Sequence, residues 1–404
     1  MLRALRHRDF RLLWIGQAVS LTGDGIYLVA IAWLVYDISN EPGALAVVGF
    51  AWTLPQVAGL LLAGVLSDRF ERRRLLVIAD LIRCAAIGTI AALALAGSTE
   101  IWHLVVLVVV YGFGQALFAP AFTAIVPEVV PREELLQANA LREMLEPIGM
   151  RFAGPALGGA LIALFGVGTA FLVDAITFAV SAVAVMGIRP RPPPRSERGS
   201  MWRDLGEGFA YVRAHAWLWG TLVGAALFLL FTFGPFEVLL PYIIRNELGG
   251  GAETFGIVLA AGGAGSFFGA LLLGRTGLPR RHVTFMWSAW CAGDVLFVGL
   301  AVAGAAWQMC LIAFVAFGLG TAALVVWNTL MNTLVPPELL GRVSSFDWFV
   351  SIGLTPLSFA ITGPAAELLG ARTTLGVAGA LGAATFLFLF IPGVRNPESE
   401  LLAR

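Results

Sequence analysis

The sequence predicts an all-α membrane protein, with twelve transmembrane helices in two pseudo-symmetric bundles of six. Three observations predict it. Of the 404 residues 58% are hydrophobic and only 13% charged, with a mean hydropathy of +0.85, whereas soluble domains carry about 25% charged residues. Twelve apolar stretches can be marked, each long enough to cross a hydrocarbon core of roughly 30 Å as a helix. The second half also repeats landmarks of the first at a nearly constant offset, as two parallel repeats do.

The expected spans are 10–36, 43–66, 74–96, 101–126, 139–165, 168–188, 217–244, 254–274, 283–304, 306–334, 343–369 and 371–391. The first follows a basic segment as a signal peptide would, but it is too long and lacks a small-residue cleavage site, so it is expected to be retained. Every basic residue among the 26 is arginine. Arg245 and Arg372 fall outside and Arg83 and Arg151 within spans; all the others fall on one side when the N-terminus is placed inside. The positive-inside rule then puts both termini in the cytoplasm of a multi-pass inner-membrane protein.

After span six the chain runs Arg189-Pro190-Arg191-Pro192-Pro193-Pro194-Arg195, too proline-rich to be helical throughout. Residues 202–216 alternate apolar and charged side chains as an amphipathic surface helix would. The domain reading is a six-helix bundle over 1–190, a cytoplasmic linker with that helix over 191–215, and a second bundle with a short tail over 216–404. Three echoes support the duplication: Gly64 to Arg74 returns faintly as Ala270 to Arg281, Val130-Pro131 to Leu136 as Val335-Pro336 to Leu340, and Gly154-Pro155 as Gly363-Pro364.

Between spans two and three, Gly64-Val65-Leu66-Ser67-Asp68-Arg69-Phe70-Glu71-Arg72-Arg73-Arg74 resembles the signature of the major facilitator superfamily: glycine, three residues, acid, base and a basic cluster. The resemblance covers essentially the whole chain. It implies a cytoplasmic gate latch at Gly64, Asp68, Arg69, Arg73 and Arg74; Glu71 departs from the glycine usual there. A topogenic arginine cluster is the alternative. Gly149-Met150-Arg151-Phe152-Ala153-Gly154-Pro155-Ala156-Leu157-Gly158-Gly159 is similar to the family's antiporter motif in helix five. Pro155 removes a backbone hydrogen bond, and Gly149, Gly154, Gly158 and Gly159 permit close approach of another helix, so this stretch reads as a moving joint or as close packing. Phe10-Arg11-Leu12-Leu13-Trp14 and Gly23-Asp24-Gly25 resemble, more narrowly, the bacterial group of enterobactin exporters and macrolide-efflux proteins.

Charges within a bilayer cost roughly 2.5–3.5 kcal/mol on insertion scales, so they mark function by default. Asp24 lies near the middle of span one, on a helical stripe with Gln17, Ser20 and Tyr27 that should face a wet cavity. An acid there can take up and return a proton; substrate contact and a structural hydrogen-bonded acid are the alternatives. Glu237, between Pro235 and Pro241, is the second proton-coupling candidate, followed by Glu146 and Arg151 in span five, where Arg142 and Glu146 are spaced to pair. Asp80 and Arg83 are expected to form a local salt bridge, and Asp174 and Asp294, in spans that the resemblance places outside the pathway, to serve packing or helix-end roles. Cys84, Cys291 and Cys310 all fall within spans, without metal spacing, as core residues.

The expected substrate surface gathers Gln17, Tyr27, Trp33, Trp52, Gln56, Gln115, Phe118, Phe233, Trp327, Asn328, Asn332, Asp347 and Ser351, a mixture suited to a bulky amphipathic molecule. Four histidines in or beside loops, no lysine and no metal motif argue against an enzyme, a P-loop or a Schiff base. No catalytic residue, cofactor or metal is implied. The expected function is a secondary exporter of drugs or siderophore-like compounds, working by proton antiport with alternating access as 1–190 rocks against 216–404. Its expected partners are a small amphipathic substrate, protons and the lipid bilayer, with no nucleic acid, and it is expected to be a monomer. An importer or symporter on the same fold and a non-transporting receptor are the rivals.

Overall fold

The structure, a computed structural model, describes residues 3–189 and 201–395; of 60–69, 132, 201–205, 337, 338 and 345 it describes the backbone alone. The linker stretch 190–200 lies outside the described residues. The elements are α1 (Arg8–Ile38), α2 (Pro42–Arg69), α3 (Arg72–Leu95), α4 (Ile101–Val129), α5 (Leu135–Glu143), a π-helix (Glu146–Ala153), α6 (Gly154–Phe165), α7 (Val167–Met186), α8 (Met201–Ala214), α9 (Ala216–Asn246), α10 (Ala252–Thr276), α11 (His282–Val302), α12 (Ala306–Leu334), α13 (Pro337–Gly353), α14 (Thr355–Leu369) and α15 (Ala371–Ala384), the last ending in a 3-10 turn over Thr385–Phe390.

Among the described residues there is no strand, and eleven helical stretches are long and apolar enough to cross a membrane. Helices are the form such sequence must take in lipid, because they satisfy each backbone N–H and C=O within the segment. The twelfth expected span lies in α2, part of which is described by its backbone alone. Two expected spans are not continuous. Span five divides into α5, the π-helix and α6 where Pro147 and Pro155 fall, and span eleven divides into α13 and α14 at Leu354, just before Pro356. In both places proline withdraws the N–H that the preceding turn needs.

Two compact units form. The first takes in the described residues of 1–196 together with Ile244–Gly263, and the second those of 197–243 and from Ala264 onward. The core of the first gathers Phe10, Leu13, Leu76, Ala79, Phe118, Phe122, Ile125, Val126 and Ile188, and that of the second Trp217, Leu218, Met286, Trp287, Val326, Trp327 and Leu330. Ile244–Gly263 joins the first unit through polar contacts and close backbone packing. Arg245 binds Asp37 at 2.6 Å and lies 5.2 Å over the ring of Trp33, Asn40 donates to Asn246 at 2.9 Å, and Gly159 abuts the backbone of Ala252 and Glu253.

Candidate functional site

The site is built around three residues of α1, Gly23-Asp24-Gly25, and each faces a different helix. Gly23 lies against Thr177 Oγ1 and Asp174 Oδ1 of α7. A Cβ on Gly25 would stand 2.6 Å from the Met150 carbonyl oxygen, 2.8 Å from Gly154 Cα and 2.9 Å from Pro155 Cδ, so α1 touches the π-helix and the start of α6 backbone to backbone. Between the two glycines Asp24, 3% exposed, accepts a hydrogen bond from the Tyr111 hydroxyl of α4 at 2.7 Å. Small residues are what allow such approach within a bilayer, where close packing rather than a hydrophobic drive holds helices together.

Gly25→Ala is therefore expected to destabilise the protein by about 1–3 kcal/mol, the usual cost of overpacking. Two of the three atoms it would meet are backbone and the third belongs to a proline ring, so none can swing aside. Gly320 of α12 has nothing within 4 Å of where a Cβ would stand, and Gly320→Ala should be neutral or stabilising by about 0.5–1 kcal/mol. Thermal unfolding of the two purified variants in detergent checks the contrast.

Around Asp24 the first unit encloses a polar network walled by aromatic rings. Tyr27 lies 4.8 Å from Tyr111 and 6.5 Å from Trp52, ring to ring, and Tyr111 lies 6.0 Å from Phe178. Asp80 and Arg83 of α3, 0% and 1% exposed, form the expected ion pair. The Arg83 guanidinium also donates to Gln115 Oε1 at 2.9 Å and is sandwiched between Phe118 at 4.2 Å and Phe178 at 4.4 Å. Asp174, 0% exposed, lies within electrostatic reach of both Asp24 and Arg83, and Thr177 donates to its Oδ1 at 3.3 Å. Several buried polar atoms here have no hydrogen-bond partner: Gln17 Oε1, Ser20 Oγ, Arg83 Nε and Asp174 Oδ2.

Tyr111 is a member that sequence reading missed, although its spacing of one helical turn from Gln115 on α4 was the available signal. Asp174, expected to serve packing, is buried within electrostatic reach of Asp24. Phe118, expected on a substrate surface, is buried in the core of the first unit and stacks on Phe122 at 5.5 Å. Gln56 donates to the Trp52 carbonyl at 3.2 Å, and Trp33 carries the guanidinium of Arg245.

In the π-helix Glu146 and Arg151 are exposed and pair with one another at 2.9 Å, while Arg142 pairs with Glu143 at 2.6 Å. The expected Arg142–Glu146 pair is replaced because the backbone leaves the α-helical period there, and residues five apart come onto one face. Gly149, Gly154, Pro155, Gly158 and Gly159 of the motif are all buried, Gly158 against Ile26 and Gly159 against Ala252. Of the gate signature, Gly64, Asp68 and Arg69 have side chains outside the described residues. Arg73 donates to the Met186 carbonyl at 2.8 Å; Glu71, the departure, binds Arg74 at 2.7 Å and reaches Arg73 at 3.9 Å, while Arg72 binds Glu128 at 2.6 Å.

In the second unit Trp327 is buried against Trp217, ring centroids 6.0 Å apart, and donates its indole N–H to Asp347 at 3.2 Å, with Ser351 at 3.5 Å from the same carboxylate. Asn328 and Asn332 of α12 are exposed, Phe233 meets Phe359 edge to face at 5.7 Å, and Glu237 is half-buried on α9 between Pro235 and Pro241. Asp294 is 1% exposed, its Oδ2 without a hydrogen-bond partner beside Gly382 and Thr232. Among the described residues no three histidine, cysteine, aspartate or glutamate side chains gather as a metal ion requires.

Comparison with known proteins places the chain among transporters. A family model described as "transmembrane secretion effector", of the major facilitator superfamily, matches residues 1–403. Macrolide efflux protein A of Streptococcus pyogenes is 24% identical over 382 residues, covering 92% of this chain and 93% of that protein. The enterobactin exporter EntS of Shigella boydii is 27% identical over 345 residues, covering 84% and 80%. Among solved structures, that of the nucleoside transporter NupG (D323A mutant) superposes with a TM-score of 0.73 at 13% identity, covering 95% of this chain and 99% of that one. Both sequence relatives match this chain over four fifths or more of their own length.

Proposed function

The chain belongs to the transmembrane secretion effectors of the major facilitator superfamily, and on that premise we propose that it is a secondary exporter of amphipathic small molecules, driven by proton antiport through alternating access. The observation that carries this reading is the placement of Asp24. A buried carboxyl at the bilayer interior sits between two glycines, one against α7 and the other against the π-helix and α6. A change of charge at that carboxyl acts on α1 where α1 touches the element whose backbone is least regular. π-Helical turns are frequent at functional sites.

In this reading a proton arriving from outside neutralises Asp24 and relieves its repulsion of Asp174; α1 then shifts against the π-helix and the cavity turns inward. Release of the proton restores the charge and readies the site for substrate. The relatives' names, macrolide efflux and enterobactin export, support the outward direction and a bulky amphipathic cargo. The arginine distribution supports an inner-membrane protein with both termini in the cytoplasm. Monomeric action is part of the proposal, since the gated path needs one copy.

The test is flux in reconstituted vesicles, using erythromycin and ethidium as probes, with and without an imposed pH gradient. Accumulation that rises with the gradient and collapses when a protonophore is added is expected. Flux indifferent to the gradient overturns antiport, and movement of probe in the same direction as protons replaces the exporter with a symporter.

A further inference from the structure

The first unit holds one more carboxyl than a single-proton site requires. Three aspartates, Asp24, Asp80 and Asp174, are 3%, 0% and 0% exposed, and the buried cation among them is Arg83. The Arg83 guanidinium is committed to Asp80 by their ion pair. Asp24 and Asp174 are left as two neighbouring acids whose described hydrogen-bond donors are neutral hydroxyls, Tyr111 for one and Thr177 for the other. Arg83 remains within electrostatic reach of both and Asp80 of Asp24; the other titratable groups facing them are phenols and a thiol, Tyr27 and Tyr111 within reach of both and Cys84 of Asp174. An isolated ionised carboxylate away from water is costly unless paired, and two side by side repel as well. Asp174 Oδ2 shows the consequence, buried without a hydrogen-bond donor.

We propose that Asp174 is a second proton-carrying residue: with Asp24 it forms a two-carboxyl site on the α1–α7 seam that takes up one proton on each acid when the network is sealed, and releases them when it is wetted. This rests on the antiport reading and deepens it, since two interacting carboxyls titrate as a pair. Gly23 makes the seam possible, because any side chain there would strike Asp174 Oδ1 and Thr177. Asp80 is the internal control, an equally buried acid that already owns a cation.

Infrared spectroscopy of the full-length protein in lipid nanodiscs reads the protons without a substrate. Spectra recorded in water and heavy water should show neutral-carboxyl C=O bands, of which Asp24→Asn removes one and Asp174→Asn another, while Asp80→Asn/Arg83→Met, which takes out the paired acid together with its cation, removes none. If Asp174→Asn fails to fold, Asp174→Glu should shift that band while leaving the others in place. A spectrum unchanged by either Asp174 variant overturns the proposal. The transport arm uses erythromycin in vesicles with the membrane potential clamped at zero. One pH unit is worth about tenfold in accumulation for each coupled proton, so the wild-type limit is about a hundredfold and the Asp174→Asn limit about tenfold. A wild-type limit of tenfold, unmoved by Asp174→Asn, overturns the second proton alone. Gradient-insensitive flux instead defeats the antiport reading, and the infrared result still decides whether Asp174 holds a proton.

Discussion

Arg83→Met is expected to be among the most destabilising single substitutions in the first unit, at about 3–5 kcal/mol, the usual cost of removing one partner of a buried ion pair. The loss has a specific origin. Arg83 is 1% exposed and Asp80 0% exposed, so the methionine leaves a carboxylate with no cation and no access to water. The same change removes the donor to Gln115 and the cation held between Phe118 and Phe178, each such contact being worth about 0.5–2 kcal/mol according to how dry it is. Methionine preserves much of the side chain's length and keeps a polarizable group between the two rings, so the loss reports the charge and its hydrogen bonds. The double variant Asp80→Asn/Arg83→Met should recover most of the loss, since it removes the stranded charge along with its partner. Thermal unfolding of the wild type and the three variants in one detergent completes the cycle. A single variant as stable as the wild type would show that Asp80 is not held by Arg83 and would also remove the control on which the two-carboxyl argument depends.

The helices were legible because their signal is long and uniform. A run such as 101–126 can do little in lipid but form a helix, and it emerges within α4 (Ile101–Val129). The loosening of span five was legible in kind, from Pro155, but the division of span eleven before Pro356 and the π-helical register were not. Whether Glu146 pairs with Arg142 or Arg151 depends on a change of period that residue types do not announce. Aromatic residues were the least legible. Phe118 and Trp327 were expected to line a substrate surface, yet both are buried within their units, because packing and ligand lining draw on the same side chains and only the rotation of each helix separates them. The same rotation hid the nearness of Asp174 to Asp24. Sequence showed two intramembrane acids about 150 residues apart, and only the close contact at Gly23, where α1 meets α7, brings them into one network. Asp24 was legible because a charge flanked by glycines in an apolar run has few bland explanations.

Asp24→Asn is expected to abolish uphill transport while leaving the protein folded, and the way it fails separates the three roles open to this residue. Asparagine has the same shape and keeps an oxygen to accept the Tyr111 hydroxyl, so the 2.7 Å contact and the seam with Gly23 and Gly25 survive. It cannot carry a proton. If Asp24 is the proton carrier whose charge shifts α1 against the π-helix, a proton on Asp174 alone cannot turn the cavity, so the gradient no longer drives erythromycin uphill and the accumulation ratio falls to about one, a loss of at least tenfold for each pH unit imposed. Exchange of labelled for unlabelled probe at equal pH should persist, because it needs the path but not the proton. If Asp24 instead contacts substrate, KM for efflux rises and the dependence on the gradient remains. If it is a structural acid, unfolding temperature and activity fall together, and no step is lost selectively. The substitution thus moves one of three separate readouts, and its selectivity matters more than its size. Loss of gradient-driven accumulation with exchange intact would assign the coupling to a carboxyl buried within one bundle, where its proton is sheltered from the substrate it drives.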